Sequence, residues 1–337
     1  MKVLVLEYIT GGGMVDSVLP ESLVAEARIM LSAVISDLLA INQLELRVLC
    51  DSRLLKQTPA VECSGYECVP VTKAQGFDAI WKETIDRVDA VFIIAPETDG
   101  TLEYLCATVE ASGTLLLNCS SQAVKIAASK LETYHRLLAN DIPVLPTCRL
   151  NAWRLNDESQ FTFPQVVKPD DGVGCEAMTV VSDKQSLDLL IKSLNPGNFI
   201  VQPWVAGQAA SLSVIYDQRD AYLLTYNQQL IEVKQDRIRL AGCRVGVYTE
   251  CWGFYQALVL RIAECLHGLR GYVGIDIIET ADGPMVVEIN PRLTTSYAGI
   301  SRAMGVNPAE MILKSFGTLS SRSVVKPERL QCQSILI

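Results

Sequence analysis

Histidine is scarce in this 337-residue chain: there are two, His135 and His267. Cysteine is plentiful, at eleven, but no two form a CxxC pair and their spacing makes no regular framework. Structural zinc sites draw their ligands from Cys and His at short paired spacings, and small disulfide scaffolds need an ordered cysteine pattern. Neither has material here. The expectation is free, buried thiols in a reducing compartment, with a redox or metal role for Cys63 and Cys68 as the lesser reading. The P-loop GK[ST] and the dinucleotide fingerprint GxGxxG are both missing. No apolar run reaches the ~20 residues that span a bilayer. The opening MKVLVLEY runs straight into a strand, without the apolar segment and cleavage site of a secretory leader. Positive charge is in deficit, with 29 Lys and Arg against 38 Asp and Glu, a net charge of −9. An acidic surface disfavours nucleic acid and anionic membranes as partners. A cytoplasmic protein acting on small molecules is the expectation. Internal repeats and low-complexity segments are also lacking.

What is present is a long chain, 49% hydrophobic, enough for two or three domains. Val3–Tyr8, Leu46–Cys50, Ala90–Ala95 and Leu115–Asn118 read as buried strands. Helical stretches at Glu21–Leu39, Phe77–Asp86 and Leu102–Ser112 separate them. That alternation predicts an open α/β domain over about residues 1–120. Ser129-Lys130-Leu131-Glu132 is a capping-box pattern opening a helix to about Asn140. Lys130 sits in its first turn, where the helix dipole favours anions. The placement makes sense if a phosphate arrives at that helix end; an ordinary surface lysine is the plainer reading. Phe163–Pro169 is a strand ending in Lys168. The loop Asp170–Cys175, with Gly172 and Gly174, then turns back to Met178–Ser182. A strand lysine followed by glycine-rich backbone can present an ammonium and several N–H groups to one polyphosphate. Further on come the strand Asn198–Val205, a hairpin of Leu212–Tyr216 with Tyr222–Tyr226, and a helix in Trp252–Leu269. A short helix at Pro308–Phe316 follows, then a polar tail after Ser320 and a last strand at Cys332–Ile337.

The most informative stretch is Gly271–Arg292, GYVGIDIIETADGPMVVEINPR. Val- and Ile-rich runs flank Ala281-Asp282-Gly283, which predicts a hairpin with a three-residue turn. Centring that turn on Asp282 sets Asp276 opposite Glu288. Alternation puts Asn290 on their face and sends Val287 and Ile289 into a core. Like charges at directly opposed positions repel. Two carboxylates and an amide there suit a hard divalent cation that shares its shell with phosphates. A solvated hairpin with scattered acids is the bland alternative.

Asp276 with Glu288-Ile289-Asn290-Pro291-Arg292 resembles the metal-binding end of the ATP-grasp superfamily. The extension Leu293-Thr294-Thr295-Ser296-Tyr297 resembles the branch that joins glutamate to tyramine in methanofuran biosynthesis. The resemblance is ordered over about residues 120–300. It implies an ATP-grasp fold of mixed α/β and α+β character: an N-terminal open α/β domain (1–120), a central subdomain (121–205) and a C-terminal subdomain carrying the metal site (206–337). It implies ATP and Mg²⁺, with Mn²⁺ as the alternate ion, on Asp276, Glu288 and Asn290. Lys130, Lys168, Gly172 and Gly174 are implied phosphate contacts. Gln202, Trp204, Val205 and Gln208 fall where the superfamily binds adenine and ribose. Gln202 and Gln208 stand where Glu is common, so nucleotide affinity is the property in question, and Pro203 offers no N–H. Glu7–Gly13 and Pro96–Thr101 match substrate loops of the first domain.

The implied reaction is carboxylate–amine ligation through an acyl phosphate, with Arg292 holding the carboxylate. The implied substrates are the γ-carboxylate of L-glutamate and tyramine or a related aromatic amine. Thr294, Thr295 and Ser296 would line the acid's side, and Tyr8 with the Gly11–Gly13 loop, Gly12 at its centre, would seat the ring. Two other readings stay open: a ligase for a different acid and amine, or a nucleotide-binding regulator on the same fold. A homodimer is one assembly open to the chain.

Overall fold

The computed structural model describes residues 1–55, 65–155, 162–174, 177–218, 220–319 and 330–337. Cys63, Cys175 and the polar tail from 320 to 329 lie outside these residues.

The first sheet is parallel. Its strands are β1 (Lys2–Glu7), β2 (Glu45–Asp51), β3 (Glu67–Val71), β4 (Ala90–Ile94) and β5 (Leu115–Leu116), in the order β3-β2-β1-β4-β5. Helices α1 (Glu21–Leu39), α2 (Ser52–Leu55), α3 (Phe77–Ile85) and α4 (Thr101–Ser112) connect them. Val3 to Leu6 are completely buried, as a central strand covered on both faces must be. The order reverses between β1 and β4, and open α/β sheets bind ligands outside the strand ends at that point. Glu7 closes β1 there, and Pro96–Thr101 leaves β4 there. The sequence reading missed β3. Pro70 breaks its pattern, and proline is tolerated because β3 is an edge strand.

The second sheet is antiparallel. It contains β6 (Cys148–Arg149), β7 (Gln165–Pro169), β8 (Thr179–Val181), β9 (Phe199–Pro203), β10 (Gln208–Asp217), β11 (Asp220–Lys234), β12 (Arg237–Val245), β13 (Gly271–Thr280), β14 (Gly283–Asn290) and β15 (Gln333–Leu336). The path runs β14-β13-β10-β11-β12-β8-β7-β9-β6, with β15 on β12. Its helices are α5 (Ser121–Ala128), α6 (Lys130–Leu138), α7 (Lys184–Ser193), α8 (Trp252–Cys265), α9 (Tyr297–Met304) and α10 (Pro308–Ser315). Strands β12 and β8 meet through one register pair, Arg237 with Thr179. The sheet is therefore two halves hinged at a corner, with a cleft between them. The smaller half has a core of its own, built from Cys148, Leu150, Trp153, Val167, Val181, Leu187 and Val201.

The β13–β14 hairpin corrects one detail of the sequence reading. Thr280 pairs with Gly283, so the turn is two residues long, and Gly283 takes a φ of +115°. A bulge between Asp276 and Ile277 then shifts the register. The extra residue restores the predicted opposition of Asp276 and Glu288. Val286, not Val287, joins Ile289 in the core; Val287 faces the cleft.

Candidate active site

The cleft holds a cavity of about 370 Å³, within the range of small-molecule sites. Lys130, Lys168, Gly172, Gly174, Asp276 and Glu288 all border it, and so do Asn290, Arg292 and Thr294–Ser296. They come from helix α6, strands β7, β13 and β14, and the loops that follow β7 and β14, gathered from positions 130 to 296.

Asp276 and Glu288 lie side by side on neighbouring strands. Gln229 Nε2 donates to Asp276 Oδ1 at 3.0 Å, reaching past β10 over the small residues Ala209 and Ser211. Burial raises the Asp276 pKa strongly, and Glu288 adds to the rise. Glu288 goes the other way. Burial opposes its charge, but Lys130 and Lys168 outweigh burial and hold its pKa well below the usual carboxylate range. Lys168 Nζ stands 3.3 Å and Lys130 Nζ 3.6 Å from Glu288 Oε2. Lys168 is almost fully buried, and desolvation lowers its pKa despite that partner.

The donor set fits Mg²⁺. Among the described residues no three His, Cys, Asp or Glu side chains converge as a closed metal cage. Two carboxylates and the Asn290 amide leave positions for phosphate oxygens and water, as Mg²⁺ sites typically do.

Helix α6 begins as the sequence predicts, with Ser129 Oγ accepting from Glu132 N. In the structure the carboxylate of Asp170 occupies that helix end, accepting from Leu131 N and Ser129 Oγ, both at 2.9 Å. This complements the dipole, while the Lys130 ammonium turns inward to donate to Gly172 O at 2.7 Å. The lysine therefore braces the glycine loop. Thr98 and Asp99, in the loop after β4, hold the same loop through Asp171.

On β9, Gln202 is buried and its amide donates to Thr147 Oγ1. Trp204 N donates to Pro164 O, and Trp204 and Val205 both face the cavity. Gln208 does not border it: exposed, it bonds to Ala209 O.

The structure separates Tyr8 and Gly12 from the cavity lining. The glycine loop has no bare face to offer a ring. A Cβ at Gly13 would lie 2.2 Å from the Tyr8 ring, one at Gly12 2.6 Å from Val71, and one at Gly11 2.5 Å from Glu7 O. Tyr8 packs edge-on against Phe77 instead.

Past Pro291 the strand has ended, yet Arg292 still reaches the cavity. Its Nε donates to Glu97 Oε2 at 2.9 Å and its Nη1 to Leu293 O at 3.0 Å. Thr294 and Ser296 join a buried hydroxyl network. Tyr272 OH lies 3.0 Å from Ser213 and Thr294 and 3.3 Å from Ser296, and Asn227 supports Ser213 at 3.0 Å. Thr295 Oγ1 donates to Glu26 on α1 at 2.8 Å. Glu97 falls in the Pro96–Thr101 loop that the sequence singles out, but its pairing with Arg292 was not legible there. Glu26 and Gln229 sit in no motif, and each reaches the site from a distant segment.

Residues 127–296, half of the chain, match the ATP-grasp domain family, and residues 44–124 match the pre ATP-grasp 3 domain. The chain is 27% identical over 276 residues to the tyramine–L-glutamate ligase of Methanocaldococcus jannaschii, covering 80% of this chain and 77% of that one. Among solved structures, a putative ATP-grasp superfamily protein from Archaeoglobus fulgidus superposes with a TM-score of 0.73 at 21% identity, covering 100% of this chain and 92% of that one. The biotin carboxylase domain of Hydrogenobacter thermophilus 2-oxoglutarate carboxylase, solved with MgADP and bicarbonate, gives 0.72 at 13% identity, covering 98% and 72%. These two likenesses establish the fold. Among the described residues no helix is long and apolar enough to cross a membrane. The chain belongs to the ATP-grasp family.

Proposed function

We propose that this ATP-grasp protein is an ATP-dependent carboxylate–amine ligase that joins the γ-carboxylate of L-glutamate to tyramine or a close aromatic amine. The observation that carries the reading is the single cavity where two lysines, two opposed carboxylates and an arginine meet a hydroxyl-rich wall. The tyramine–L-glutamate ligase of M. jannaschii supports the substrate pair, which the sequence resemblance associates with methanofuran-type cofactors. The co-crystallised MgADP of the carboxylase domain supports the nucleotide and metal.

The parts divide the work. Residues 1–120 supply Glu26 and the Glu97 loop on the substrate side, 121–205 the phosphate lysines and 206–337 the metal ligands. Lys130, Lys168 and the Gly172–Gly174 backbone hold the ATP phosphates. The adenine lies along Gln202, Trp204 and Val205; Pro203 has no N–H and that of Trp204 is taken by Pro164 O, which leaves Val205 to read the base. Asp276, Glu288 and Asn290 would hold Mg²⁺, which would supply positive charge to offset that of the phosphates. Arg292 orients the carboxylate in line with the γ-phosphorus, since its planar fork matches two oxygens. One carboxylate oxygen attacks, ADP leaves and an acyl phosphate forms. The neutral amine then attacks the acyl carbon, phosphate departs and the amine loses a proton. Thr294, Thr295 and Ser296 face the amino-acid end of the glutamate.

The test is mass spectrometry of mixtures of protein, ATP, Mg²⁺ and L-glutamate with tyramine, tyrosine or D-alanine. The expected product is the γ-glutamyl amide of tyramine, with one ADP and one phosphate released. ADP release that does not depend on glutamate would remove this function and leave the fold untouched.

A further inference from the structure

We infer that Glu26, on helix α1, recognises the α-ammonium group of the amino-acid substrate and so sets the enzyme's preference for amino acids over plain dicarboxylates. The inference rests on the glutamate reading above and deepens it. Glu26 borders the cavity although it belongs to the N-terminal sheet's first helix. The other acids of the site are already engaged. Glu288 faces Lys130 and Lys168, and Glu97 faces Arg292. Asp276 opposes Glu288 and takes the Gln229 amide, as a metal ligand in waiting. Among the described residues Glu26 forms no ion pair; its partner is the Thr295 hydroxyl, which donates to Oε1 at 2.8 Å. The carboxylate is thereby held at the cavity wall with hydrogen-bonding capacity to spare, since an ionised carboxylate can accept about four hydrogen bonds.

L-Glutamate brings two carboxylates and one ammonium. Arg292 and the hydroxyls of Thr294 and Ser296 match carboxylate, and nothing among them matches ammonium. Glu26 does. It also lies close enough to Arg292 for their charges to interact, so an anion and a cation stand together as a zwitterionic amino acid requires. The amine substrate fits Glu26 less well. It must be neutral to attack, and a fixed carboxylate favours its charged, unreactive form.

The experiment compares L-glutamate with glutarate, which lacks only the α-amino group, in the wild-type protein and in Glu26→Gln. Both are assayed as kcat/KM for ATP-dependent amide formation with tyramine. The expected result is a loss of about tenfold or more for glutamate, the scale of a hydrogen bond to a charged group. Glutarate turnover should stay within about twofold of wild type, which also reports that the variant is folded. Equal losses for both acids, or no loss for either, would overturn the assignment. So would a selective rise in the KM for tyramine, which would move Glu26 to the amine. A wild-type protein that turns over neither acid would remove the glutamate reading itself. That is distinct from a wild type that uses glutamate and a variant that keeps its preference.

Discussion

Glu97 Oε2 and Arg292 Nε meet at 2.9 Å across 195 residues of sequence, and both side chains are largely buried, at 5% and 12% exposure. The contact ties the loop after β4 to the residue that follows the metal-binding strand. It holds Arg292 in place without exhausting it. A guanidinium has five N–H donors; Nε is given to Glu97 and one Nη1 hydrogen to Leu293 O, so both Nη2 hydrogens remain for a substrate. The second Glu97 oxygen, Oε1, is buried with no partner among the described residues.

Removing Glu97 takes away the carboxylate paired with the buried Arg292 guanidinium, leaving only the looser charges of Glu26 and Glu288 near it. Breaking such a pair typically costs about 3–5 kcal/mol. Glu97→Ala should therefore melt at lower temperature and denaturant, and its KM for the acid should rise, while MgATP affinity changes little. Denaturant titration and steady-state kinetics measure both. Unchanged stability together with an unchanged acid KM would show the contact to be incidental.

Glu288 carries two duties, as candidate metal ligand and as counter-charge to Lys130 and Lys168. Glu288→Gln should lower turnover by at least the roughly 10- to 100-fold that even an outer partner of a metal ligand is worth. The protein should fold, with reduced stability, because the buried Lys168 loses its anion. Adding MgATP should return part of that stability in a thermal melt, since phosphates can take the place of the lost carboxylate. Normal Mg²⁺-dependent turnover in this variant would mean that the metal lies elsewhere.

The legible parts of this molecule were those coded by neighbours in sequence. Alternation along β14 gave the shared face of Glu288 and Asn290, and Ser129 with Glu132 marked the start of α6. The bulge after Asp276 was not legible, because it follows from how β13 and β14 accommodate a two-residue turn. The opposition of Asp276 and Glu288 was nonetheless read correctly, since the bulge offsets the shorter turn. The anion at the head of α6 was out of reach for another reason. Asp170 comes from 41 residues beyond Ser129, and nothing local announces that meeting. Glu26 arrives from 269 residues before Thr295. The ring seat proposed for Tyr8 failed on volume: the sequence shows three glycines but not that Tyr8, Val71 and Leu6 already fill the space above them.

Asp37 on α1 makes stability depend on pH. Burial pushes its pKa up to about 6, and the hydroxyls of Tyr297 and Ser301 offset only part of the rise. The folded value exceeds the unfolded value of ~3.9. Between these values the folded protein keeps a proton that the unfolded chain has released. This group's contribution is therefore fully present below about pH 4 and is lost as pH rises through about 6. Asp37→Asn should remove that loss and stabilise the protein near pH 7 by about 3 kcal/mol, as an order of magnitude. Denaturant titrations from pH 4 to 7.5 on both proteins give the comparison. Parallel curves would show that Asp37 does not titrate in this range.

Arg292→Lys isolates geometry from charge. A lysine keeps the positive charge but has one compact ammonium in place of a planar fork. In the wild-type protein that fork serves Glu97, Leu293 O and, on the present reading, a substrate carboxylate. An ammonium cannot reach all three in the same directions. The KM for L-glutamate should rise about tenfold or more and kcat should fall, because a hydrogen bond to a charged group is worth ~1.5–3 kcal/mol and the transferring oxygen loses its alignment. MgATP affinity, measured by titration calorimetry without the acid, should stay within about twofold, since Lys130, Lys168 and the strand β9 backbone are untouched. If the variant loses MgATP affinity and keeps its glutamate KM, Arg292 belongs to the nucleotide. The carboxylate would then have to be held by the Thr294–Ser296 hydroxyls alone.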